Sequence, residues 1–347
     1  MLSKIKESLK NKKALNFEEA VFLFEKIDLM ELREIAHEIK FGKNKDIVYW
    51  NKNLHINPTN ICIGQCKFCL FSKEENQKDA YLLTYQEILD KIQTVKHFNI
   101  KEVHIVGGLN PKLSLEYYLR LFEEIKKLDL KLHIKALTAP EIDFFAKKEN
   151  ITIEECLKKL IESGLNSLPG GGAEIFSERI RILYCPSKIP AKDWLYIHET
   201  AHKLGLKSNA TMLTGLGETT EEKIQHLFLL REQQEKSHGF QSFIPLVRHN
   251  KQGSILTAVE ILRNIAVSRL ILHNFEHIKA YRVQLGNKLT QLALFFGADD
   301  IDGTVIEEKI TSQGNYKFIN EEEIKKLIQT SGFTAKERNS LYEEIEI

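Results

Sequence analysis

Three of the chain's five cysteines, Cys62, Cys66 and Cys69, lie within eight residues in the stretch INPTNICIGQCKFCLFSKEE, directly after a short apolar run. The spacing Cys62-x3-Cys66-x2-Cys69 puts three soft thiolate donors on one loop. A structural zinc site closes with four ligands, usually as two spaced pairs, and here no second CxxC exists, with Cys156 and Cys185 far away in sequence. Closed by His55 or His97, the loop would form a zinc knot; with no chemistry at all, it would be a cluster of buried thiols. Left open, the same three donors suit a 4Fe-4S cluster in which one iron remains free for a cosubstrate.

Other segments carry residues of the right type for a site. GGLNP (107–111) pairs Gly107 with Gly108, and SLPGGGAEIFSERIR sets Gly170 and Gly171 ahead of Glu174, Arg179 and Arg181. Glycines opening a helical segment permit close approach to a ribose or carboxylate, or make a plain connection with Glu174 as a helix-start charge. Arg248 and His249 in PLVRHN, and Arg282 in YRVQLG, are expected at the site: arginines clamp carboxylates bidentately, and a histidine can act as acid, base or donor. His104, His133, His202 and His226 read as structural, Cys156 as a core thiol on an apolar helix face, and Cys185 before Pro186 as undecided.

The elements that must position these residues follow from the hydrophobic pattern. Short apolar runs at LHIN (54–57), EVHIV (102–106), KLHIKAL (131–137), NSL (166–168), LKSNATML (206–213), FQSFIPLV (240–247), IKAYRVQ (278–284) and GTVIE (303–307) alternate with amphipathic helical segments. Several helices open on capping boxes, including Asn16 with Glu19, Thr84 with Glu87 and Thr152 with Glu155. Eight strands alternating with helices predict right-handed parallel units closed into an α/β (β/α)8 TIM-type barrel, expected to be largely apolar inside. Each unusual loop then follows the C-terminal end of a strand, the face where such barrels do chemistry. The expected organisation is an N-terminal helical extension (1–50), the barrel (51–310) and a C-terminal helical extension packing on it (311–347).

The chain has 347 residues, 43% hydrophobic and 28% charged, enough for a large core. Its 49 Lys and Arg nearly cancel 48 Asp and Glu, so no global field favours nucleic acid or an anionic membrane. No apolar run approaches membrane-spanning length, and the N-terminal residues lack the apolar region of a secretory signal, giving a cytoplasmic expectation.

The phrase CIGQCKFC resembles the CxxxCx(aromatic)C signature of the radical S-adenosylmethionine (SAM) enzymes, with Phe68 as the aromatic residue. That resemblance implies Cys62, Cys66 and Cys69 as ligands of a 4Fe-4S cluster whose open iron is chelated by SAM. It further implies that Gly107 and Gly108 let a backbone edge pair with the methionyl amine, and that Gly170, Gly171 and Glu174 serve the cosubstrate's ribose or amine. From Leu54 to Lys309, phrases such as LPGGGAEIFSERIR, GFQSFIPLVRHN and HIKAYRVQLGNKLTQLALFFGADDIDGTVIEEKI are similar to the aminodeoxyfutalosine synthases of the futalosine route to menaquinone. Cyclic dehypoxanthine futalosine synthase and the tyrosine-using half of deazaflavin FO synthase share much of this text. The synthase resemblance implies 3-[(1-carboxyvinyl)oxy]benzoate as substrate, its carboxylates held by Arg248 and Arg282 with His249 nearby, and a flavodoxin- or ferredoxin-type electron donor. After strand five these synthases usually carry an aromatic residue and a histidine where this chain has Thr214 and Leu216.

Overall fold

A computed structural model describes residues 1–11, 13–250, 253–307, 309–310 and 318–343. Eight parallel strands form the barrel wall: β1 (Lys52–Ile56), β2 (Glu102–Ile105), β3 (His133–Ala136), β4 (Ser167–Leu168), β5 (Lys207–Thr214), β6 (Phe240–Val247), β7 (His277–Ala280) and β8 (Thr304–Ile306). Each strand from β1 to β6 pairs with the next, as the alternating pattern predicts. The ring is completed by one bent run of chain: Asp300–Ile301 pairs with β7, and β8, two residues later, pairs with β1. The bend is at Asp302-Gly303. A Cβ on Gly303 would lie 1.9 Å from the carbonyl oxygen of Asn51, so only glycine lets the two backbones meet there.

The capping boxes at Asn16, Thr84 and Thr152 all form. Helices Leu2–Lys10, Phe17–Glu25 and Leu29–Asn44 precede the barrel and share its apolar core, Leu23, Leu32 and Ile35 lying in one cluster with Ile265 and Leu294. The 311–347 segment is not wholly helical. It carries a helix, Glu321–Gln329, and a strand, Thr334–Glu337, that pairs in parallel with Ile47–Trp50 below the barrel; residues 311–317 and 344–347 lie outside the described residues.

Two expectations need correction. The run IKAYRVQ is strand only to Ala280; Arg282 opens the helix Arg282–Phe295, because the Asp302 carboxylate accepts the backbone N–H groups of Arg282 and Val283. The barrel interior is also not largely apolar. Along β1, β2, β3, β5 and β7 the period-two alternation sends Leu54, Val103, Ile134, Ala210 and Ile278 into the apolar core, and Asn53, His55, Glu102, His104, Lys135, Asn209, Thr211 and Lys279 to an internal cavity. His104 therefore lines the cavity, where a purely structural place was expected.

Buried histidines couple this fold to pH. Burial lowers His104, His133 and His202 to about 4 and His226 to about 3. His226 shows why: Nδ1 accepts the Phe176 N–H at 3.1 Å and Nε2 donates to the Thr211 carbonyl at 2.9 Å, so the neutral ring is already satisfied. Folded pKa values below the unfolded 6.5 mean that the unfolded chain binds more protons once pH falls below 6.5. The melting temperature is therefore expected to fall steadily from pH 6.5 to pH 4. A flat profile by calorimetry across that window would contradict the neutral burial of these rings.

Candidate functional site

The cysteine loop leaves the C-terminal end of β1, and its backbone is tied down on both sides. Cys62 N–H donates to Lys73, Ile63 N–H to Leu109 and Lys67 N–H to Tyr184. The β2 loop lies directly on it, since a Cβ on Gly108 would fall 2.2 Å from the Ile61 carbonyl oxygen and 2.9 Å from Cys62 Cβ. Gly108 is thus a packing requirement of the cysteine loop. Gly107 N–H donates to Glu141 Oε1 at 3.0 Å and Gly108 N–H to the Thr59 carbonyl at 3.0 Å.

Cys62, Cys66 and Cys69 line one cavity of about 340 Å³ with Phe68, Gly107, Gly108, Gly170, Gly171, Glu174, Arg248 and His249, and it continues down the barrel to Lys279. The Gly64 and Leu109 N–H groups each stand 3.3 Å from Cys62 Sγ. Burial pushes the Cys66 thiol up to about 12 and raises that of Cys69. Among the described residues no three His, Cys, Asp or Glu side chains stand at metal-ligating separation.

The loop after β4 shows why its glycines are glycines. A Cβ on Gly170 would lie 2.8 Å from the Asn209 carbonyl oxygen, and one on Gly171 would lie 2.9 Å from Thr138 Cγ2, so this loop rests directly on β5 and the β3 loop. Glu174 is buried with a positive φ of 48° and forms an ion pair with Lys188. Burial alone would lower the Lys188 pKa, but the Glu174 carboxylate outweighs it and keeps the ammonium charged. Lys188 also lies 5.8 Å from the Phe68 ring centroid, so one cation joins the loops after β1 and β4.

Not every expected residue arrives. Arg179 pairs with Glu222 at the surface, and the buried Arg181 is spent on the carbonyls of Ala173, Ile175 and Ile189; neither lines the cavity. Arg282 is buried behind the wall, its guanidinium donating to the Gly303 carbonyl at 3.3 Å, while Tyr281 and Gln284 beside it reach the cavity. Arg248 does line it, 5.1 Å above the Tyr184 ring. His249 is half-buried, its Nε2 has no partner among the described residues, and burial lowers its pKa, so the neutral ring faces the cavity. Cys156 is fully buried, while Cys185 ends the helix Glu178–Tyr184, also buried and off the cavity wall. Leu216 joins a small apolar cluster with Ile175, Ile180 and Leu213, against which Phe68 and Tyr184 pack; Thr214 donates to the Leu246 carbonyl at 3.0 Å.

Sequence reasoning missed Lys188, Glu141 and Lys279. Lys188 carries no motif of its own. Glu141 was legible as a capping-box residue, three after Thr138, yet it also lines the cavity, where burial pushes it up to about 7 against the hydrogen bonds from Thr138 and Gly107. Lys279 was hidden inside a strand reading.

A family model for the radical SAM superfamily matches residues 56–230, and one for the CofH/MqnC C-terminal region matches residues 237–347. The chain belongs to the radical SAM superfamily. It is 37% identical to aminodeoxyfutalosine synthase of Streptomyces coelicolor over 98% of this chain and 92% of that one. It is 36% identical to the Thermus thermophilus enzyme of the same name over 99% and 95%. It is also 39% identical to 5-amino-6-(D-ribitylamino)uracil–L-tyrosine 4-hydroxyphenyl transferase of Methanocaldococcus jannaschii over 96% and 98%. Methylornithine synthase has the same fold, with a TM-score of 0.77 at 17% identity, covering 95% of this chain and 97% of that one.

As a radical SAM enzyme of transferase type, the protein uses a 4Fe-4S cluster and SAM. The cavity fits both: three soft donors stand on one loop and two N–H groups point at one sulfur, a donor set that suits a soft iron–sulfur cluster. Among the described residues no helix is long and apolar enough to cross a membrane.

Proposed function

We propose that this radical SAM enzyme is an aminodeoxyfutalosine synthase. It takes SAM, 3-[(1-carboxyvinyl)oxy]benzoate and water to 6-amino-6-deoxyfutalosine, methionine, bicarbonate and a proton, with no net oxidation. The observation that carries this reading is that one cavity joins the three cysteines to Arg248 and to a polar, buried barrel interior. A dianionic aryl substrate needs such a compartment, because a carboxylate taken out of water must meet a cation or donors already in place. Near full-length identity to two synthases supports the choice.

In this reading Cys62, Cys66 and Cys69 hold the cluster, and a flavodoxin- or ferredoxin-type protein supplies its electron. Cluster and cosubstrate together supply, when bound, a 5′-deoxyadenosyl radical able to add to a vinyl group. Everything else is the chain's work. Glu174 and Lys188, already paired, offer an acceptor and a donor for the amine and carboxylate of SAM, beside the glycine backbones at 107–108 and 170–171. Arg248 takes the carboxylate on the enol ether, braced against Tyr184, with His249 as a neutral neighbour. Arg282 is a positioning residue: its backbone fixes Asp302 at the start of a helix, and its side chain braces the bend before β8. The small apolar cluster around Leu216 closes the wall behind Phe68.

The tyrosine-using reading has a specific observation behind it, the 39% identity to the archaeal transferase. Supplying the reduced enzyme and SAM in parallel with the aryl enol ether, or with tyrosine and 5-amino-6-(D-ribitylamino)uracil, separates the two. Turnover of the first alone is the expected result; turnover of the second alone would overturn the assignment.

A further inference from the structure

The floor of the cavity holds an uneven set of charges. Lys135 and Glu102, both buried, pair at 2.7 Å, and Glu102 is held well below the usual carboxylate range, Lys135 overriding the effect of burial. Asp300 is spent on Arg338, which reaches it at 3.0 and 2.7 Å through two nitrogens, and it also accepts the Tyr342 hydroxyl. Asp302 accepts two backbone N–H groups at the start of the Arg282 helix and faces the Arg282 charge. Among the described residues Lys135, Arg338, Arg282 and Lys279 thus face three carboxylates, and Lys279 is the cation that shares both of its neighbours, Asp300 with Arg338 and Asp302 with Arg282. Lys279 stands 3.2 Å from an Asp300 oxygen that Arg338 already occupies, and it lines the cavity. His104 adds no charge, since burial keeps its ring neutral near pH 7. A buried ammonium that only shares its carboxylates gains when a further anion arrives beside it.

We infer that Lys279 is a specificity-determining residue that receives the aryl carboxylate of the substrate at the cavity floor. The inference rests on the synthase reading and deepens it. The vinyl carbon must lie toward the cysteine loop, where the adenosyl group is delivered, and its own carboxylate lies beside it within the province of Arg248. The ring carboxylate is the far end of the molecule and points down the barrel. The C-terminal segment has a part in this: Arg338 and Tyr342, brought under the barrel by the Thr334–Glu337 strand, share Asp300 with Lys279, so that Lys279 keeps charge to offer a ligand.

The test compares 3-[(1-carboxyvinyl)oxy]benzoate with 2-phenoxyacrylate, the same enol ether without the ring carboxylate, in wild type, Lys279→Gln and Lys279→Arg. Wild type is expected to favour the benzoate by about 100-fold in kcat/KM, the scale of a buried charge-assisted pair. Lys279→Gln should bring the two compounds within a few-fold of each other, mainly by raising KM for the benzoate, and Lys279→Arg should restore a preference. Equal use of both compounds by wild type would overturn the inference without any variant, as would an undiminished preference in Lys279→Gln. If wild type turns over neither compound, the synthase reading falls and this inference falls with it.

Discussion

Cys66→Ala is expected to abolish the broad visible absorption of the reconstituted protein and to bring SAM cleavage to background. Cys66 sits between Cys62 and Cys69 on a loop whose backbone is pinned to Tyr184, Leu109 and Lys73, so no neighbouring thiol can take its place by a small shift. Cys185 is the sulfur to watch, because it lies close enough to Cys66 to act on its charge, yet it is buried off the cavity wall. Losing a partner one step removed from a metal typically costs about 10–100-fold, and losing a direct ligand from a set of three should cost far more. Cys185→Ala, by contrast, should keep both the absorption and the cleavage. A Cys66→Ala protein that still assembles the cluster and cleaves SAM would remove Cys66 from the ligand set.

Asp299→Ala should give the largest loss of stability among the charged positions, about 3–5 kcal/mol. Asp299 is fully buried and accepts from Arg269, from Ile278 N–H at 2.8 Å, from Asn44 Nδ2 at 2.7 Å and from His277 Nδ1 at 2.6 Å. It thereby joins an N-terminal helix, the start of β7 and the helix Ala258–Ile271. Burial alone would raise its pKa, but the Arg269 guanidinium overrides this and holds the carboxyl below its ordinary value. The contribution is therefore present above the unfolded pKa and lost as pH falls through the folded one, below pH 3.8. Without Asp299, Arg269 would keep, among the described residues, the carbonyls of Gly297 and Glu276, and Lys40, already lowered by burial to about 7, would lose an attractive neighbour. Against a total stability of about 5–15 kcal/mol the loss is large. Urea denaturation at pH 7 reads it directly, and a change below about 1 kcal/mol would show that the pair's desolvation cost already cancels its attraction.

The frame of this molecule was legible because its signals are local. The eight apolar runs became the eight barrel strands, and the boxes at Asn16, Thr84 and Thr152 formed because a Ser, Thr or Asn three residues before Glu carries its own hydrogen bonds. The cysteine spacing was equally local. What escaped was non-local. Arg282 was misplaced because the strand-like text of IKAYRVQ gives no hint that Asp302, twenty residues on, caps a helix there. Lys188 and Glu174 meet only because the loop after β4 folds back on itself, and the polar interior was concealed by reading apolar content without asking which face each residue occupies. A strict period-two reading of NLHI, EVHI and HIKA would have exposed Asn53, His55, Glu102, His104 and Lys279 as one inward face.

The central claim, that the adenosyl group ends up in the product, has one direct test. SAM carrying a uniformly 13C-labelled adenosyl group is supplied with the aryl enol ether to the anaerobically reconstituted, reduced enzyme, and the products are weighed by mass spectrometry. A single adduct that retains every labelled carbon is expected, formed with methionine and bicarbonate in equal amounts. Label found only in 5′-deoxyadenosine, with no adduct, would contradict it and leave an enzyme that abstracts hydrogen.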